Sequence, residues 1–138
     1  MADKPKKWSP PPFPDNVHVI AISEQLEGEE LHWHIYLFNE GDEALQNVLI
    51  TASGYGELNG EDVKTSLLRY SLGELSGYTA KRVEPISTEV MGLYSQYWVS
   101  FYKEGKIYDK KFVFPPYSVS HALAKAIPAL GIDGVYAE

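Results

Sequence analysis

LHWHIYLFNEGDEALQNVLITAS, from Leu31 to Ser53, holds two apolar alternating runs on either side of the break Asn39-Glu40-Gly41-Asp42-Glu43. It reads as two strands and the turn between them, the ribbon around which the remaining segments can be arranged. Successive strand residues point to opposite sides, so Leu31, Trp33, Ile35 and Leu37 share one face and His32, His34, Tyr36 and Phe38 the other. The first set is a natural core face. The second is not the polar row of a solvated antiparallel sheet, and something is expected to lie over it. In the second run Val48, Ile50 and Ala52 alternate with Leu49, Thr51 and Ser53, a clearer inside and outside.

A chain of 138 residues fits one domain and can build a hydrophobic core without metal or disulfide staples. With 44% hydrophobic and 13% aromatic residues, ten of them Tyr, the composition is globular and leans toward strands. The net charge of −7 opposes a phosphate backbone, so nucleic acid is not an expected partner. Without cysteine there is no disulfide, thiolate chemistry or thiolate metal site. Residues Met1 to Asp15 are charged and then Pro-rich, with neither a secretory signal nor a membrane span, which points to a cytoplasmic protein with no membrane partner.

Along the chain, residues 1–15 are expected to form a Pro-rich extended arm. In it Lys4, Lys6 and Lys7 read as a solubilising tail, and Trp8 and Phe13 as pegs or as a ligand for an aromatic-lined groove. Residues 16–116 carry the strands. Val17 to Leu26 leads into Leu31 to Phe38, Glu57 to Asp62 reads as a loop, and Val63 to Leu72 as a strand. Thr79 to Ile86 is a strand whose Pro85 marks an end or an edge. Gln96 to Tyr102 and Ile107 to Phe114 flank Lys103-Glu104-Gly105-Lys106, a hairpin signal with Gly placed for a left-handed residue. In residues 117–138, Ser118 to Ile127 reads as a short helix, N-capped by Ser118 or Ser120 and stopped by Pro128, that packs with the tail on the strands.

About seven antiparallel strands with turn signals between them point to an all-β, immunoglobulin-like sandwich. The stretches IYLFNEGDEALQNVLITAS (35–53) and SLGELSGYTAKRVEPI (71–86) resemble the strand, Asn-x-Gly turn, strand and the Leu, loop-Gly, strand segments of bacterial immunoglobulin-like domains of the CARDB kind. Ser76 departs from that pattern, standing where Pro is common before the Gly. The resemblance implies a fold and a binding or spacing role, and it carries no catalytic residue.

Chemistry-bearing motifs are sparse. His32-x-His34 on a strand puts two imidazoles on one side about 7 Å apart, close enough to share a metal. In a cupin-like barrel that pair would be followed sooner by Glu than Glu40 follows here, and neither His18 nor His121 supplies a second motif. No nucleophile elbow surrounds Ser53, and no dinucleotide or phosphate loop is spelled by the glycines, so no cofactor is expected. Lys64, Arg69, Lys81 and Arg82 would form an anion pocket if their strands brought them together. The strands 31–38, 96–102 and 107–114 are apolar on both sides, a surface that soluble proteins cover or share. The sequence therefore reads as a non-catalytic interaction module that self-associates or binds a protein partner through His34, Tyr36, Phe38, Trp98 and Tyr102. The alternatives are a cupin-like metal- or small-ligand-binding enzyme using His32 and His34, and a subunit recognised through its arm.

Overall fold

The apolar runs form strands, and the sides they bury follow a period of two. A computed structural model describes residues 12–138; Lys4, Lys6, Lys7 and Trp8 of the arm lie outside them. The strands are β1 (Val17–Gln25), β2 (Leu31–Asn39), β3 (Leu45–Leu58), β4 (Glu61–Lys64), β5 (Leu68–Leu75), β6 (Thr79–Ile86), β7 (Tyr94–Lys103), β8 (Lys106–Phe114), β9 (Lys125–Ile127) and β10 (Ile132–Tyr136). Sheet I has the order β6-β2-β1-β10-β9; sheet II has the order β4-β3-β7-β8, with β5 also paired to β3. Every pairing is antiparallel.

The two sheets close on one apolar core. Val19, Ala21, Ile35 and Leu37 from sheet I meet Val48, Ile50, Val99, Phe101, Phe112 and Phe114 from sheet II. Burying a side chain of this size stabilises the fold by about 1.5–3 kcal/mol. Phe13 seals an open side, standing edge-on to Phe101 at 5.3 Å and Phe112 at 5.6 Å, with Lys110 Nζ 4.7 Å above the Phe112 ring. Beyond β10, Ala137 N donates to Val19 O at 2.9 Å and Glu138 exchanges two 2.9 Å bonds with Val113, so the chain passes from sheet I to β8.

The organising stretch behaves differently from a hairpin. β2 pairs with β1 and β6 in sheet I, whereas β3 belongs to sheet II, and residues 40–44 cross between them. The cause is local. Asn39, 1% exposed, shares its amide hydrogens among the carbonyls of Glu43 at 2.8 Å, Ser76 at 3.2 Å and Leu75 at 3.3 Å. Its Oδ1 accepts from Gly41 N at 3.1 Å. Leu75 and Ser76 belong to the return crossing, from β5 in sheet II to β6 in sheet I. Tyr78 N donates to Gly41 O at 3.0 Å. At Gly77 the approach is so close that an added Cβ would lie 2.5 Å from Asp42 O. One amide thus ties both crossings together.

Four expectations need correction. There are ten strands rather than about seven. Residues 57–62 are not an open loop but a two-residue hairpin joining β3 to β4, because Asn59 (φ 55°) and Gly60 (φ 81°) take the two left-handed positions that such a turn requires. Residues 63–72 do not make one strand: Thr65 breaks the run, its Oγ1 accepting from Gly54 N at 2.7 Å and its N donating to Gly54 O at 2.9 Å. The predicted helix over 118–127 is absent, leaving a 3-10 turn at His121–Leu123 and then β9. Ser118 Oγ donates backward to Pro115 O at 2.7 Å, and Ser120 makes no capping bond. Burial of Ile127 in a β9–β10 hairpin outweighs the local helical pattern. The β7–β8 hairpin forms as expected, with Glu104 and Gly105 both at positive φ.

Asn39→Ala leaves the carbonyls of both crossings and the Gly41 amide short of partners. Urea unfolding is expected to show a loss of about 3 kcal/mol, at the upper end for an orphaned buried polar group.

Candidate functional site

The outer faces of the two sheets differ in what covers them. On sheet I, Ile127 and Leu130 pack over Ile20, Ile22 and Phe38. This is the cover expected over the second face of β2, supplied by a strand and turn. His34 is 4% exposed, and its Nδ1 lies 3.3 Å from Glu24 Oε1. The Tyr36 hydroxyl donates to the same oxygen, and Arg82 Nε stands 3.4 Å from it. The Arg82 guanidinium also lies over the Tyr36 ring, 5.7 Å from its centre. Burial, reinforced by Glu24, pushes the Tyr36 hydroxyl above its ordinary pKa.

On sheet II the alternation of β7 turns Tyr97, Val99 and Phe101 inward and Tyr94, Trp98 and Tyr102 outward, 41%, 46% and 44% exposed. They recur every fourth residue, about 13 Å apart along the strand. Tyr94 stacks on Tyr55 of β3 with centroids 5.2 Å apart. Leu49 of β3 and Ile107 of β8, the latter opposite Tyr102, are also exposed. The five expected interface residues therefore fall on two surfaces: His34, Tyr36 and Phe38 outside sheet I, Trp98 and Tyr102 outside sheet II.

The cations are not gathered either. Arg82 is held by Glu24 outside sheet I, and Lys81 Nζ donates to Leu72 O at 2.8 Å. Lys64 and Arg69 stand opposite Tyr55 and Thr51 on the outer side of sheet II. The rings of His32 and His34 are 6.4 Å apart outside sheet I, not inside a barrel. Glu40 approaches His18 instead, at 3.7 Å. Among the described residues no three His, Cys, Asp or Glu side chains group as metal ligands, and no helix is long and apolar enough to cross a membrane.

A site that sequence alternation hides lies at the edge strand β6. Tyr36 pairs with Arg82 and Ile35 with Glu84, so Val83 is an extra, bulged residue. The bulge re-aims Glu84 inward, where strict alternation from Arg82 would send it out. There Tyr97 Oη donates to Glu84 Oε2 at 3.3 Å, while the buried Oε1 has no hydrogen-bond partner. Tyr70 of β5, paired with the inward-facing Ile50, comes in from the other side. Burial raises the Glu84 carboxyl pKa, against the opposing pull of the neighbouring Tyr70 and Tyr97 hydroxyls. Burial and then Glu84 push the Tyr70 hydroxyl up to about 12, and burial pushes Tyr97 up as well. A cleft of about 870 Å³ opens here at the β6 edge, lined by Glu84, Tyr97, Leu68 and Ile86 and also by His32, His34 and Arg82, three of the residues expected at a site.

A carboxyl whose folded pKa is raised favours the fold when protonated and loses that advantage as pH rises through the folded value. Glu84→Gln keeps an acceptor for Tyr97 and cannot ionise. Urea unfolding at pH 4, 5, 6 and 7 should show the variant gaining on the native chain as pH rises; a difference that does not change with pH contradicts this. Compared with family models, with curated proteins and with solved structures, the chain matches none.

Proposed function

We propose that the chain is a non-catalytic interaction module of the bacterial immunoglobulin-like, CARDB kind, acting in the cytoplasm and associating with a second copy of itself through the outer face of sheet II. The observation that carries this reading is the row Tyr94, Trp98 and Tyr102, left about half exposed beside Leu49 and Ile107. The matching face of sheet I is covered by Ile127 and Leu130. Aromatics of this kind supply large, rigid contact area, and Trp and Tyr dominate the energetics of protein interfaces.

Charge favours a like partner over a strongly charged one. The face carries Asp109 and Lys111 on β8, Arg69 on β5 and Lys64 on β4, both signs in small number. A two-fold axis can set such a patch against itself, as one sheet packs on another in a sandwich. His34 and Phe38 are withdrawn from the contact by their cover, so the interface reading narrows to Trp98 and Tyr102 with their exposed neighbours.

Sedimentation equilibrium over a wide concentration range should show a monomer–dimer equilibrium, and Trp98→Ala should raise its dissociation constant about tenfold or more. A single-chain mass at every concentration, or an equilibrium indifferent to Trp98, contradicts this function.

A further inference from the structure

We infer that the outer edge of β8 is a strand-addition site for an acidic extended segment of a partner protein, which pairs antiparallel with Ile107, Asp109 and Lys111. β8 ends sheet II and bonds to β7 through every second residue. The two-residue turn at Glu104 and Gly105 makes Lys103 and Lys106 a hydrogen-bonded pair, so Lys106, Tyr108, Lys110 and Phe112 turn their amides and carbonyls toward β7. Those of Ile107, Asp109, Lys111 and Val113 turn the other way. At Val113 the chain itself fills the edge: Val113 N donates to Glu138 O and Glu138 N to Val113 O, both at 2.9 Å, the exchange of an antiparallel pair. The next positions in the same phase, Lys111, Asp109 and Ile107, have no backbone partner on that side among the described residues. The edge thus already holds one residue of an added strand and stands open along the line in which that strand continues.

The charge of the occupant follows from the side chains. Lys103, Lys106, Lys110 and Lys111 set four cations against Glu104 and Asp109, a local charge of +2 in a chain whose net charge is −7. Lys111, opposite Trp98, projects on the outer face, and Lys110 on the inner side over the Phe112 ring, so an added strand meets a cation on either face. Both are exposed, as are Lys106, Ile107 and Asp109. Lysine on an edge strand deters neutral and basic strands, and a second copy of β8 brings the same positive charge. Carboxylates on the incoming strand turn the same lysines into cross-strand ion pairs. Main-chain bonds give such a pairing its affinity and the side chains its selectivity. Other outer strands suit it less: β4 and β9 have only four and three residues, and in β6 Pro85 supplies no donor. The pairing uses the backbone edge and does not depend on association through the aromatic face.

Titration of the full-length, ¹⁵N-labelled chain at neutral pH with the end-blocked peptide Glu-Val-Glu-Val-Glu-Val-Glu, and separately with Lys-Val-Lys-Val-Lys-Val-Lys, tests the proposal. The acidic peptide should give saturable shifts and the basic one none. Hydrogen exchange with the acidic peptide bound should slow by about tenfold or more at the Ile107, Asp109 and Lys111 amides, while Tyr108 and Lys110, already bonded to β7, change little. Lys111→Glu should weaken acidic-peptide binding about tenfold. Asp109→Pro, which removes an edge donor and none from the ladder with β7, should weaken it at least as much. Saturation by both peptides or by neither, protection that does not alternate along β8, indifference to Lys111→Glu, or undiminished binding by a folded Asp109→Pro chain would overturn the proposal.

Discussion

Asn39 sits where two crossings between the sheets run against each other, and its side chain bonds to both. A backbone leaving one sheet for another must find partners for the amides and carbonyls it takes off the ladder. Here a single primary amide supplies them: Glu43 on the outgoing crossing, Leu75 and Ser76 on the returning one, and Gly41 on its own side. The arrangement sets the direction in which β2 and β6 leave this end of the sandwich, and with it the pairing of β6 on β2. The bulge at Val83, the inward turn of Glu84 and the cleft all lie further along that pairing.

The two sheets share one core and differ outside. Sheet I receives β9 and the turn after it as a lid on Ile20, Ile22 and Phe38, whereas β3, β7 and β8 of sheet II face outward with Leu49, Trp98, Tyr102 and Ile107 uncovered. Alternation alone makes both faces apolar. The hairpin from Lys125 to Tyr136 covers the one on sheet I, because β10 pairs with β1.

What was legible in the sequence follows the same physics. The period of two placed Trp33, Ile35 and Leu37 inward and Tyr36 and Phe38 under a cover, as the structure has them, but Leu31, expected on the same inward face, stands 59% exposed at the start of β2. The β7–β8 hairpin is visible in its Glu-Gly turn, and Asn59-Gly60 carries the same signal inside a stretch whose polar residues otherwise suit a loop. The C-terminal segment misled because Val119, Leu123 and Ile127 recur at helical spacing, while the sheet edge offered Ile127 a better burial as strand. The partition of β2 and β3 between sheets was hidden, since a break of five residues suits a hairpin as well as a crossing. Glu84 could not be placed either: a bulge is one unpaired residue, and TAKRVEPI alternates without any mark at Val83. Only Pro85, read as an edge signal, pointed to that strand's exposed position.

The interlock of the crossings is the claim on which register, bulge and cleft depend, and native-state hydrogen exchange reaches it directly. The Gly41 amide, held by Asn39 Oδ1, and the Tyr78 amide, held by Gly41 O, belong to chain segments that look like surface connections. If Asn39 locks them, both exchange as slowly as the Ile35 amide in the middle of β2 and open with the same free energy, that of global unfolding. Exchange of either at the rate of an exposed turn such as Gly28 would contradict the account.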